Sequence, residues 1–145
     1  LENKKMRFQY KHYFGVERNT PKTKEDFELL HEKYKKDPHY YPTSFKRFNL
    51  LVIAYHKGNP VAFTGINQIC GNWYFRGCYV SEDYRGNGLQ NKLANRGYDL
   101  LRKRGVKQIT SMAHIDNKIS QHNIEKRGMK KTGRRKINYH YKQLL

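Results

Sequence analysis

Apolar positions along the chain follow two rhythms, alternating and helical, and each change of rhythm marks the boundary of an element. Residues 6–13 alternate loosely and predict a first strand. Thr20-Pro21 and then Thr23-Lys24-Glu25-Asp26 form a helix start, after which Phe27, Leu30 and Tyr34 recur on one face until Asp37-Pro38. Residues 39–42 read as a loop, with a short helix after Thr43. The apolar run over 50–55 predicts a buried strand, turned at Gly58-Asn59-Pro60. Residues 61–69 and 73–80 make a hairpin around Gly71-Asn72. Helical spacing returns over 89–104, with Leu89, Leu93, Leu100 and Leu101 facing the core and Gly105 as the stop. A strand over 106–115, a helix over 118–127 stopped by Gly128, and two strands over 129–145 joined near Gly133 complete the chain. The order predicts an α/β (α+β) fold: a mixed, mostly antiparallel sheet with helices packed on it.

Length and composition narrow this further. The 145 residues suit one domain spanning 1–145, and 37% hydrophobic with 14% aromatic residues supports a folded core. No apolar stretch nears the roughly 20 residues of a membrane span, so no membrane partner is expected. Residues 1–15 lack the apolar segment of a secretory signal, and the opening Leu1-Glu2 points to a cloning scar or a cleaved product. Cys70 and Cys78 lie on neighbouring predicted strands and read as buried thiols, not a disulfide framework, which points to a reducing, cytoplasmic setting. Two cysteines and seven histidines show no paired zinc spacing, and no metal is expected. Ser111 and Ser120 have no neighbouring acid–base pair of triad type.

Charge changes the picture. Thirty Lys and Arg against twelve Asp and Glu give +18, a surplus that favours a polyanionic partner, nucleic acid first, over a merely solubilising surface. After Glu125 there is no acidic residue at all.

The junction Arg85-Gly86-Asn87-Gly88-Leu89-Gln90 carries the strongest chemical signal, because it lies where a strand gives way to a helix. Glycines there let backbone N–H groups approach a ligand, and the helix start adds unpaired amides suited to a pyrophosphate. A Walker loop is excluded, since neither glycine is followed by the required Gly-Lys-Ser/Thr; a dinucleotide fingerprint would need glycine at Asn91. The stretch from Cys78 to Leu89 resembles instead the acetyl-CoA loop of the GNAT superfamily of N-acyltransferases, Arg/Gln-x-x-Gly-x-Gly/Ala after a strand. Gln90 departs from that pattern. A second block, Asn117-x-x-Ser120 followed by Glu125-Lys126-Arg127-Gly128-Met129, is similar to the family's Asn-x-x-Ala/Ser and Glu-Lys-x-Gly-Phe.

The resemblance implies a GNAT-like twisted sheet flanked by helices and an N-acetyltransferase using acetyl-CoA as co-substrate. It places the pyrophosphate against Arg85, Gly86, Asn87, Gly88, Leu89 and Gln90. It also places the pantetheine against the backbones of Cys78 and Val80, with the Val80 N–H as oxyanion donor. Asn117 and Ser120 would flank the pantetheine arm, although Asn117 reads equally well as a helix N-cap.

The catalytic side chains depart from the family. In its protein-N-terminal branch a glutamate five residues before the asparagine serves as base, and a tyrosine seven residues after it protonates the thiolate; here these are Met112 and Ile124. Loss of the acid is the milder change, because a thiol of pKa about 8.5 leaves readily. His114 shares a strand face with Met112 and is the candidate base, the alternative being a hydrogen-bonded structural histidine. Glu82 and Asp83 are weaker candidates, and His122 and His140 have no positional argument.

In this superfamily the last two strands commonly wall the acceptor cleft. Lys130, Lys131, Arg134, Arg135 and Lys136, with Tyr139 and Tyr141, would make that wall positive, favouring an anionic or weakly basic amine, or nucleic acid stacked on the tyrosines. Two other functions stay open: a nucleic-acid-modifying relative, and a non-catalytic binding protein that keeps the cofactor pocket. Oligomeric state is open, a dimer included.

Overall fold

The computed structural model describes residues 6–135 and 138–145. Its elements in chain order are β1 (Gln9–Phe14), α1 (Pro21–Tyr34), β2 (Leu50–His56), β3 (Asn59–Ile69), β4 (Asn72–Val80), α2 (Leu89–Lys103), β5 (Gln108–His114), α3 (Lys118–Lys126), β6 (Lys130–Arg135) and β7 (Asn138–Leu144). The strands form one seven-stranded sheet in the order β1-β2-β3-β4-β5-β7-β6. Every neighbouring pair is antiparallel except β4 and β5, which are parallel. The short helix expected after Thr43 is a single 3₁₀ turn, Phe45–Arg47.

Period-2 alternation sorts β2 into two cores. Leu50, Val52 and Ala54 join Leu89, Leu93, Tyr98, Leu101, Ile124 and Tyr141 beneath α2 and α3. Leu51, Ile53 and Tyr55 join Phe27, Leu30, Tyr34, Phe48 and Phe63 beneath α1. Burial on both faces explains the unbroken apolar run. α1 starts where expected: the Thr20 hydroxyl accepts the Thr23 N–H at 3.1 Å, and Pro21 opens the helix, where its missing N–H costs nothing.

Three expectations shift. Both hairpin turns lie one residue or more earlier than expected, at Lys57-Gly58 and Cys70-Gly71, because two-residue turns of this hand need positive φ at both central positions (51° and 81°; 51° and 80°). Asn59, Pro60 and Asn72 are already in strands. Gly133 is not the joint between the last strands but lies inside β6, opposite His140 and beside a bulge, with β6 continuing to Arg135. Cys70 is exposed in its turn and not buried, while burial pushes the Cys78 thiol up to about 11; both are free.

Candidate active site

The sheet opens between β4 and β5. These parallel neighbours share one bridge, Tyr74 with Thr110, near the start of each strand. Toward their C-terminal ends no further pairing joins them, and that end carries the glycine loop after β4 and the start of α3 after β5. A gap at the carboxyl ends of parallel strands is where α/β sheets hold ligands.

The backbone of β4 aims its donors into this gap. The Ser81 N–H bonds the Val61 carbonyl at 2.8 Å, so Tyr79, two residues back, also turns its N–H toward β3. By alternation the N–H groups of Cys78 and Val80 face the other way, toward β5. A bulge sits just upstream: Thr64 pairs with Cys78 but Ile66 pairs with Phe75, leaving Arg76 and Gly77 opposite Gly65. Gly77 is required there, since a Cβ on it would lie 2.6 Å from Thr43 Cγ2.

The loop that follows is strapped to the same strand end. Arg85 Nε donates to the Val80 carbonyl at 3.1 Å, and its guanidinium lies 3.7 Å from the Asp37 carboxylate. Asn87 Nδ2 donates to the Tyr84 carbonyl at 2.9 Å. Gly86 and Gly88 have φ of 85° and 70°, and apart from the adjoining residues no protein atom lies within 4 Å of where a Cβ would stand on either. Gly88 is the N-cap of α2 and its carbonyl takes the Lys92 N–H at 3.0 Å. The N–H groups of Leu89, Gln90 and Asn91 precede that first helical bond and are available to an anion.

α3 walls the other side. Asn117 is its N-cap, the carboxamide oxygen accepting the Ser120 N–H at 3.1 Å. Gln121 Nε2 donates to the His114 and Ile115 carbonyls, both at 2.9 Å, fixing the helix to the end of β5. Gln90, the departure from the family pattern, accepts from Asn123 Nδ2 at 3.0 Å, and Arg127 donates to Asn91 at 2.8 Å. Both α2 residues thereby tie the loop to α3.

Side-chain chemistry in the gap is sparse. Ile124 is 2% exposed in the core, which removes it from proton transfer. Ile109 and Ala113 face α2, so Met112 and His114 share the opposite face. His114 Nδ1 accepts the Asp116 N–H at 3.1 Å. In that orientation the neutral ring carries its proton on Nε2 and its one basic lone pair is engaged, which favours the hydrogen-bonded structural alternative. The raised thiol of Cys78 stays protonated at neutral pH, which disfavours an acyl-cysteine route.

The C-terminal strands divide differently from the expectation. Tyr141 is 0% exposed, its hydroxyl donating to Glu125 Oε1 at 3.2 Å, so it is core and not a stacking surface. Tyr139 packs on the same cluster beneath the Lys131 ammonium, 3.9 Å from its ring centre. Arg134 pairs with Tyr139 in register and shares its face. The face toward the gap carries Lys142 opposite Thr110, His140 opposite Met112 and Asn138 opposite His114, with Lys130 beside Lys142. Lys136 and the Arg135 side chain lie outside the described residues. Sequence reasoning missed His140, whose place depends on the β5–β7 register, and Arg76, a charge inside an otherwise aromatic strand beside a glycine, which was a usable signal.

Among the described residues no helix is long and apolar enough to cross a membrane, and no group of three or more His, Cys, Asp or Glu side chains could hold a metal ion.

Comparisons with known proteins identify the family and the fold. The family model described as "Acetyltransferase (GNAT) family" matches residues 12–129. No curated protein sequence matches. Among solved structures, an N-acetyltransferase from Staphylococcus aureus Mu50 superposes with TM-score 0.76 at 10% identity, over 95% of this chain and 97% of that one. The ribosomal-protein-S18-alanine N-acetyltransferase of Escherichia coli gives TM-score 0.70 at 18% identity, over 94% and 93%. The PaiA N-acetyltransferase of Thermoplasma acidophilum, solved in complex with coenzyme A, gives 0.62 at 14% identity, over 66% of this chain and 60% of that one. The family match over most of the chain and the shared fold lead to one conclusion: the chain belongs to the GNAT acetyltransferase family.

Proposed function

We propose that the protein is an acetyl-CoA-dependent N-acetyltransferase acting on an anionic or weakly basic amine. The observation that carries this reading is the opening between β4 and β5, with the Cys78 and Val80 amides turned into it and the glycine loop at its end. The residues fit a long ligand with a pyrophosphate: Arg85 to Gln90 would hold the phosphates, the β4 edge would pair with the pantetheine, and Asn117 and Ser120 would flank it. Acetyl-CoA supplies the acetyl group as a thioester. The Val80 N–H is the donor available to a carbonyl in the opening, a contribution of about 3 kcal/mol to the transition state by comparison with other oxyanion holes. The amine nitrogen forms the new bond to the carbonyl carbon, the carbon–sulfur bond breaks, and the sulfur leaves as thiolate without an acid. The proton lost by the amine goes to solvent, which suits an acceptor of low basicity better than a lysine of pKa about 10.4. The test is release of free thiol from acetyl-CoA across amine, protein and nucleic-acid acceptors. Cofactor binding with no thiol release from any acceptor overturns the enzyme in favour of a binding protein.

His114 enters this scheme as a positioning residue. His114→Ala is expected to lower turnover by less than about threefold, well short of the hundredfold or more typical of a lost general base. Its pH–rate profile should overlay that of the parent. Loss of an ionisation near the histidine range in the variant would restore His114 as the base.

The charge of +18 and the acid-free segment after Glu125 support a second reading, in which a nucleic acid binds the basic surface. Lys130 and Lys142 pair across β6 and β7, and both are exposed. Reversing both to glutamate should lower the slope of log affinity against log salt by about 1.8, near 0.9 for each lost phosphate contact. Gel-shift titrations of the two proteins at two salt concentrations measure it. Absence of binding to DNA or RNA at low salt would assign the charge to solubility.

A further inference from the structure

We propose that Arg76 anchors an anionic group, carboxylate or phosphate, on the amine acceptor, an inference that rests on the acetyltransferase reading above. Arg76 lies in β4 at the bulge, half-buried, its guanidinium against the rings of Tyr41 and Tyr74 at 5.3 and 5.5 Å from their centres. It donates to the Tyr41 hydroxyl. The segment presenting Tyr41 is itself held on α1: the Tyr41 N–H donates to the Tyr34 hydroxyl at 3.1 Å, and the Tyr40 hydroxyl meets His31 Nε2 at 3.1 Å. The head group is therefore fixed before any ligand arrives.

A guanidinium has five N–H donors and does not lose its charge. One of the five is engaged by Tyr41, and the ion pairs among the described residues include none with Arg76. The tyrosine rings and hydroxyl hold the cation without neutralising it, and four donors remain for an anion. Asp37, four residues before Tyr41, pairs with Arg85, and Glu82 and Asp83 beyond the end of β4 are exposed.

Position gives that anion its identity. Arg76 precedes Cys78 and Val80 on the strand that edges the opening; Tyr74, two residues before it, pairs with Thr110, two residues before Met112, so Arg76 and Met112 both lie just beyond the single bridge, on the face away from α2. Met112 is where the resembled branch has a carboxylate, so that position offers Arg76 no charge here. The acceptor supplies the missing charge. Val80 lies four residues beyond Arg76, roughly 13 Å of strand at about 3.3 Å per residue, less what the bulge takes up. The amine and the anion of the acceptor are therefore separated by several bonds, more than in an α-amino acid.

The experiment uses the full chain with saturating acetyl-CoA and matched probes: 6-aminohexanoate against its carboxamide, and 3-aminopropyl phosphate against 3-aminopropanol. In the parent, the charged member of at least one pair is expected to be favoured by about tenfold or more in kcat/KM, the size of one charge-assisted contact. Which pair shows it assigns carboxylate or phosphate. Arg76→Gln should erase the preference through KM, with kcat moving less than about threefold, and Arg76→Lys should retain part of it. Met112→Glu, which leaves the arginine in place and brings a carboxylate to it, should erase the preference as well. A preference that survives Arg76→Gln overturns the proposal, as does a parent that shows none. If the parent turns over none of these four amines, the wider acceptor assay above, weakly basic amines included, decides for the acetyltransferase reading, and calorimetry with 6-aminohexanoate and inorganic phosphate decides for Arg76. Binding present in the parent and lost in Arg76→Gln supports it, and any other result removes it. Unfolding midpoints of all variants are compared with the parent, and Arg76→Lys provides the reading if Arg76→Gln does not fold.

Discussion

Gly88→Val is expected to weaken acetyl-CoA binding by at least about a hundredfold while the protein stays folded. Gly88 sits at φ 70° and ψ 20°, in the left-handed region, and immediately precedes the first turn of α2. An L-residue held there costs about 1–2 kcal/mol, and a β-branched one more. Because no atom outside the adjoining residues lies within 4 Å of the added Cβ, the side chain enters open space and the fold is not displaced. The strain is relieved by turning the backbone, which re-aims the amides of Leu89, Gln90 and Asn91 away from a shared ligand. Two or three charge-assisted hydrogen bonds at about 1.5–3 kcal/mol each are lost together, which exceeds the roughly 2.8 kcal/mol of a hundredfold change. Calorimetric titration measures the affinity, and circular dichroism with an unfolding midpoint establishes the fold. Unchanged affinity in a folded variant would separate the glycine loop from the cofactor site.

Much of the frame was legible because local patterns and long-range packing agree. β2 reads as a continuous apolar run because two cores meet on it, one under α1 and one under α2 and α3. The strand–glycine–helix junction was legible because positive φ at Gly86 and Gly88 demands glycine whatever surrounds it. Elements whose character depends on a partner strand were not. Tyr141 sits in a basic segment and reads as surface, yet alternation along β7 turns it into the α2–α3 core while sending His140 and Lys142 to the other face. Gly133 looks like a turn because glycine marks turns and bulges alike, and only pairing with β7 distinguishes them. His114 was placed on the correct face, but the Asp116 N–H that engages its lone pair belongs to the chain's exit from β5, a geometry no spacing rule encodes.

Gly65→Ala is expected to be the most damaging single-methyl change in the sheet, costing about 3 kcal/mol or more, at the top of the range for overpacking. A Cβ on Gly65 would stand 2.1 Å from Phe48 Cε1, with two more ring atoms at 2.5 Å. Phe48 is 1% exposed and packs edge-on against Phe27, so the ring cannot retreat without moving the core beneath α1. β3 must give way instead, and it does so at the worst point for function. Gly65 lies opposite the Arg76-Gly77 bulge, the step that offsets β4 and precedes the amides of Cys78 and Val80 in the opening. A shift of β3 therefore reaches the Val80 N–H and the head group of Arg76 together. Chemical denaturation should show a lower midpoint with an unchanged slope, and at temperatures where the variant remains folded its kcat should also fall. By contrast, Gly97→Ala meets only the flexible Cδ1 of Ile66 at 2.9 Å and a ring edge at 3.7 Å, so it should destabilise far less and leave kcat near the parent value. Equal stability of Gly65→Ala and the parent would mean that Phe48 can be repacked and that the bulge is not held from this side.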